Sequence, residues 1–121
     1  MTNNIKSKTI NIKVVLLGEA GVGKTSIIQR FIENKYDPYT TPTLGASFFI
    51  KNYEINKKEI TYQIWDTAGQ ERYRGLGRQF YKNSKIGILV YDITSTKSFK
   101  ELENYWHKEL IENSEEGISI L

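Results

Sequence analysis

The chain has 121 residues, 39% of them hydrophobic, which is enough to bury one core. Lys and Arg outnumber Asp and Glu by 17 to 14, but the lysines are dispersed, so they read as a solvated surface and not as a patch for nucleic acid or an anionic membrane. No apolar run approaches a membrane span, the N-terminus lacks a signal core, Thr2 stands where N-myristoylation needs glycine, and the absence of cysteine excludes disulfides.

Met1 to Thr9 is polar and reads as a disordered tail, with residues 10–121 as one domain. Ile10 to Leu17 alternates through Asn11 and Lys13, then turns continuously apolar from Val14, as a strand does where both faces become buried. Gly18-Glu19-Ala20-Gly21-Val22-Gly23-Lys24-Thr25 follows and completes the pattern G-x-x-x-x-G-K-[ST]. A helix is expected from Lys24 to about Asn34, with Ile27, Ile28, Phe31 and Ile32 on its apolar period. Strand, loop and helix in this order are the setting the motif requires.

The chemistry follows from geometry. Glycines let the backbone curl into a nest of inward N–H groups, and the helix N-terminus adds its positive dipole end. Lys24 supplies a mobile positive charge for β- and γ-phosphates, and Thr25 a hydroxyl for Mg²⁺. The candidate nucleotide-binding residues here are Glu19, Ala20, Gly21, Val22, Gly23, Lys24, Thr25 and Ser26. An ordinary glycine turn is the competing reading, and the complete motif in its complete context weighs against it.

Asn34 to Pro42 holds both prolines and reads as a loop. Ala46–Ile55 and Glu59–Trp65 read as two strands around an Asn56-Lys57-Lys58 turn. Alternation through Ile60, Tyr62 and Ile64 puts Trp65 on the opposite face. At the strand's end Asp66 is placed to hold Mg²⁺, directly or through water. Gly69 permits close backbone approach to a γ-phosphate, and Gln70 is placed to orient an attacking water. Asp66-Thr67-Ala68-Gly69 alone would be a turn; in a chain with a phosphate loop the catalytic reading prevails.

Gly69, Gly75 and Gly77 weaken helix over 67–77, and a helix is expected from Leu76 to Asn83. Ile86 to Ile93 reads as a buried strand, and Ser98-Phe99-Lys100-Glu101 as a capping box opening a helix. Phe99, Leu102, Trp106 and Leu110 continue at helical spacing, which makes Trp106 a core residue and leaves His107, the single histidine, on the polar side. A last strand begins at Ile118. This order gives an α/β fold: the three-layer P-loop NTPase sandwich, with a mostly parallel sheet, one antiparallel edge strand and an end within the fifth core strand.

Gly18–Thr25, Trp65–Glu71 and Leu89–Thr94 together resemble, in order and spacing, the motifs of a Ras-superfamily small GTPase of the Rab branch. Thr43-Leu44-Gly45-Ala46-Ser47-Phe48 is similar to the Rab switch I, which makes 67–77 the counterpart of switch II. The resemblance implies a slow, activator-dependent GTPase that acts as a molecular switch in vesicle traffic, with GTP or GDP as ligand and Mg²⁺ as cofactor. It implies Lys24 and Gln70 as catalytic residues. Thr43 would join Thr25 and Asp66 at the metal, in the triphosphate state only, and Tyr36 would place a ring beside the guanine. Phe48, Trp65 and Phe80 match the aromatic triad shown to effectors. An exchange factor, a GTPase-activating protein and effectors are the implied partners of a cytosolic monomer without a membrane anchor of its own.

The loop and switch segments look most like the endosomal, early-endocytic group. Ala20 stands where side-chain size bears on the catalytic Gln, and Phe80-Tyr81-Lys82-Asn83-Ser84 keeps the family's aromatic pair but loses its glycine. No Asn-Lys-x-Asp follows the last strand, where the family's guanine-reading motif stands, so a truncated domain with weak, base-unspecific nucleotide binding is the second expectation. A P-loop ATPase is a third, against which Thr43 and Asp66–Glu71 argue.

Overall fold

β1 (Thr9–Leu17) is the centre of a five-stranded sheet whose strands lie in the order β2-β3-β1-β4-β5. In this computed structural model the described residues are 9–33, 47–67 and 78–121. Tyr36, Thr43, Gly69 and Gln70 lie outside them, as do the expected tail up to Lys8, the proline-bearing loop and the start of the helix expected at Leu76.

β3 (Lys58–Asp66) and β4 (Ser84–Leu89) flank β1 in parallel, and β5 (Ser119–Ile120) continues in parallel beyond β4. β2 (Ser47–Ile55) pairs antiparallel with β3 and forms the edge, as the expected fold requires. Its hairpin turn is shorter than expected. Lys58 already pairs with Ile55, and only Asn56 and Lys57 turn, at φ 52° and 64°. Positive φ at both central residues defines a turn whose twist matches that of the strands. At the other end Thr9 is already in β1, paired with Glu59.

Alternation along β1 feeds two apolar layers. Val14 and Leu16 join Ile28 of α1 (Lys24–Glu33), Ile64 and Val90 on one face. Val15 and Leu17 join Phe80 and Tyr81 of α2 (Arg78–Tyr81) on the other, with Leu102, Trp106 and Leu110. α1 covers only part of its face, leaving an apolar groove of about 450 Å³ bordered by Ile27, Phe31, Tyr53, Ile55 and Leu121.

β4 ends at Leu89, four residues before the apolar run does. Val90 N–H still donates to Leu17 O at 2.8 Å, but Asp92 then starts a turn, its carboxylate accepting from Thr94 N–H at 2.8 Å and Thr94 Oγ1–H at 2.7 Å. Those two bonds hold the Asp92 carboxyl below its ordinary pKa. Ile93 is consequently 89% exposed and not a strand residue.

The next helix begins three residues earlier than the capping box suggests. Ser95 is the N-cap of α3 (Thr96–Glu101), its Oγ accepting from Ser98 N–H at 3.2 Å. Ser98 is buried, accepting from Asp92 N–H at 3.0 Å and donating to Ser95 O at 2.8 Å. Helical backbone then continues through a π-helical segment, Leu102–Trp106, into α4 (His107–Asn113). Residues four apart drift by about 40° per step around an α-helix. Within the wider π turn, where His107 N–H bonds to Leu102 O, that drift is absorbed, and Leu102, Trp106 and Leu110 all stay buried. Phe99 falls off the stripe and stacks edge-on against Tyr91, ring centres 5.0 Å apart.

Candidate functional site: a phosphate loop and an oxygen-rich metal position

At Gly18, where β1 ends, a Cβ would strike the carbonyl oxygen of Val90, so only glycine lets the loop start against the end of β4. Gly21 and Gly23 have open space around them, and their φ values of 78° and 107° select glycine by backbone conformation instead. Gly23 O accepts from Ile27 N–H at 3.0 Å, which begins α1 at the loop's last residue. First-turn N–H groups of a helix have no intrahelical partner, so this end attracts anions.

Lys24 is 5% exposed, and its Nζ donates to Gly18 O at 3.0 Å and Glu19 O at 2.8 Å. The ammonium thereby ties the helix start back to the loop start. A buried positive charge inside a glycine nest at a helix N-terminus fits a polyphosphate.

The parallel register sets Leu16 of β1 opposite Asp66 of β3, so Asp66 emerges beside the loop. Its Oδ2 accepts from Thr25 Oγ1–H at 2.7 Å, and the residue is 1% exposed. Two hard oxygen donors this close, from separate elements, fit Mg²⁺, which takes few protein oxygens and completes its shell with phosphate and water. Thr67, next in the chain, is fully buried, and its hydroxyl has no hydrogen-bond partner among the described residues.

The structure thus brings Lys24, Thr25 and Asp66 together around the loop formed by Glu19 to Gly23, with Ser26 in the first turn of α1. The three expected aromatic residues also form one run. Phe48 pairs with Trp65 across β2 and β3, ring centres 5.2 Å apart, and Trp65 meets Phe80 edge-on at 6.2 Å. Phe48 is 47% exposed, but Phe80 is 4% exposed and belongs to the core, so the triad is not uniformly on the surface.

Two side-chain partnerships, one beside Trp65 and one at the loop, escaped sequence reading. Lys13 is buried, its Nζ donating to Gln79 O at 3.0 Å and Lys82 O at 2.9 Å, and burial lowers its pKa. Trp106 is core, as expected, but its Nε1–H also donates to Glu19 Oε1 at 3.0 Å. A buried indole N–H needs an acceptor, which was the available signal.

A glycine nest, a buried lysine and a hydroxyl–carboxylate pair at the strand ends of a mostly parallel sheet are the features of the P-loop NTPase fold. The Ras family model matches residues 13–121, and the chain belongs to the Ras family. Human Ras-related protein Rab-22A is 46% identical over 109 residues, covering 90% of this chain and 56% of its own. Ras-related protein RABG3b of Arabidopsis thaliana is 45% identical over 83% of this chain and 49% of its own. The GTP-binding protein ypt5 of Schizosaccharomyces pombe is 43% identical over 93% of this chain and 53% of its own. The chain spans about half the length of these curated relatives.

Proposed function

We propose that this chain carries the phosphate- and Mg²⁺-binding part of a Rab-type GTP-binding and GTP-hydrolysing switch that regulates vesicle traffic, of the endosomal kind, through effectors. The observation that carries the reading is the Thr25–Asp66 pair at 2.7 Å beside a glycine loop closed on Lys24. Likeness to Rab-22A and ypt5 supports it.

In this reading the loop N–H groups and Lys24 hold the β- and γ-phosphates, while Thr25, Asp66 and Thr43 hold Mg²⁺. When bound, the ion neutralises charge on the phosphate oxygens. By the family resemblance the Gly69 backbone would meet the γ-phosphate, Gln70 would orient the attacking water, and Tyr36 would place its ring at the base. Loss of the γ-phosphate releases Thr43 and Gly69, which converts hydrolysis into a change of surface. Phe48 and Trp65 offer effectors an aromatic surface seated on Phe80, and aromatic residues of this kind are enriched at binding hot spots.

A second reading rests on one feature of the sequence. The one Asn-Lys-x-Asp string, Asn34-Lys35-Tyr36-Asp37, precedes the switch I segment, and none follows the last strand, where the family's guanine-reading motif stands. Nucleotide would then be held by its phosphates alone. Calorimetric titration of the purified chain with GDP, GTP and ATP, with and without Mg²⁺, separates the two. Tight Mg²⁺-dependent binding that prefers guanine supports the switch. Equal, weak binding of all three supports the phosphate cradle, and no binding rejects both.

A further inference from the structure

We propose that Trp106 is a positioning residue for the phosphate loop, acting through the side chain of Glu19. The proposal rests on the loop being the phosphate site, and deepens that reading by naming what holds the loop in shape. Trp106 Nε1–H donates to Glu19 Oε1 at 3.0 Å, a bond that spans 87 residues of sequence. Trp106 is fully buried between Leu102 and Leu110 of the same core cluster, so its indole has a fixed position. The π-helical turn that ends at Trp106 is what keeps this residue on the buried face.

Two bonds of Glu19 bear on the loop. Its carboxylate accepts from Trp106, and its backbone carbonyl accepts from Lys24 Nζ at 2.8 Å. The first bond ties the loop to the helical rod on one side of the sheet, and the second ties it to the start of α1 on the other. A carboxylate on a loop built for phosphate carries the same sign of charge as its ligand. Holding it against the indole directs that charge away from the glycine nest. Without this bond the loop loses its tie to the helical rod.

Two substitutions probe the bond from opposite ends. Trp106→Phe removes the donor but also trims the core, whereas Glu19→Ala removes the acceptor without touching the core. Glu19→Gln keeps an oxygen acceptor. Amide hydrogen exchange at Gly21, Gly23 and Lys24, measured without ligand, should rise about tenfold in both Trp106→Phe and Glu19→Ala, as for loss of one hydrogen bond to a charged group. Glu19→Gln should restore most of the protection, and the Glu19→Ala/Trp106→Phe pair should exchange no faster than the faster single variant. Urea unfolding should show Glu19→Ala still cooperative, its folding equilibrium lowered by about the same tenfold, because the buried indole N–H loses its acceptor.

With Mg²⁺ and GDP as the probe, Glu19→Ala should weaken binding by a similar factor. Unchanged loop exchange in Glu19→Ala, or additive effects in the double variant, overturns the proposal. If the parent chain binds no nucleotide while exchange remains coupled between the two positions, the positioning role stands and the switch reading falls.

Discussion

The ammonium of Lys13 lies 4.4 Å from the centre of the Trp65 ring while donating to the carbonyls of Gln79 and Lys82. One charge therefore joins three things: the central strand, the end of the single-turn helix α2 and the tryptophan between Phe48 and Phe80. Carbonyls at a helix C-terminus are unsatisfied by the helix itself and carry its negative dipole end, so a cation there is doubly favoured. Lys13→Met keeps the stem and removes the charge. It should destabilise the chain by about 1–3 kcal/mol, the range for leaving buried acceptors unpaired. Trp65 emission should shift as well, because the ring loses its cation. Equilibrium unfolding in urea, read by tryptophan fluorescence, checks both, and an unchanged midpoint would mean that water replaces the ammonium without loss.

The Thr25–Asp66 bond predicts how the site depends on metal. Thr25→Ala removes one of the two oxygens and Asp66→Asn removes the negative charge. Each should weaken Mg²⁺·GDP binding by about tenfold or more, equivalent to at least ~1.4 kcal/mol. With the metal chelated, Thr25→Ala and the parent chain should bind GDP equally, since the hydroxyl's contribution runs through the ion. Titrations with and without chelator test this; a difference that persists in chelator would assign Thr25 a direct role at the phosphate.

Local chemistry was legible in the sequence, and long-range partnership was not. The loop, its flanking strand and helix, and Asp66 at a strand's end are set by patterns within a dozen residues, and the structure places them as those patterns imply. Lys13 shows the limit. Alternation with Asn11 suggests a solvated position, but its partners lie 66 and 69 residues away, and only the folded chain brings the end of α2 over it. Ser98 fits the capping box by sequence, yet Ser95 is the N-cap. The turn at Asp92 decided between them by drawing Ser98 inward as its own acceptor. Phe99 fits a regular helical stripe and leaves it because the π turn changes the period after Glu101. Phe80 is buried because the short α2 directs it at Trp65 and Tyr81, with ring centres 6.2 and 5.3 Å away.

Tyr81 carries a hydroxyl that is buried and without a hydrogen-bond partner among the described residues. Burial pushes its pKa far above the ordinary 10.0, and the nearby Glu109 and Tyr105 push the same way. Above pH 10 the unfolded chain releases this proton and the folded chain keeps it. The unfolded state then binds fewer protons, so stability is undiminished below pH 10 and falls as pH rises beyond it. Tyr81→Phe should remove that part of the alkaline loss. At neutral pH it should be neutral or stabilising by up to about 1 kcal/mol, because it deletes an unsatisfied polar atom from an apolar site. Urea midpoints at pH 7 and pH 10.5 for both chains test the sign. A variant less stable than its parent at pH 7 would show that the hydroxyl has a partner after all.

Gly87 decides how closely α4 approaches the sheet. A Cβ at this position would lie 2.5 Å from Leu110 Cδ2 and 3.1 Å from Cδ1, well inside van der Waals contact. The same residue accepts from Leu121 N–H at 2.9 Å and pairs with Ile120, so β5 depends on the strand segment that α4 presses upon. Gly87→Ala should therefore destabilise by about 1–3 kcal/mol through overpacking. Leu110→Ala alone should cost about 2–5 kcal/mol through the cavity it leaves. Together they should cost less than their sum, by about 1 kcal/mol, because the added methyl occupies space that the shortened leucine vacates. A double-mutant cycle in urea measures the coupling directly. Strict additivity would mean that α4 moves off the sheet to admit the methyl. Leu110 would then be held by Trp106 and Tyr81 and not by the strand beneath it.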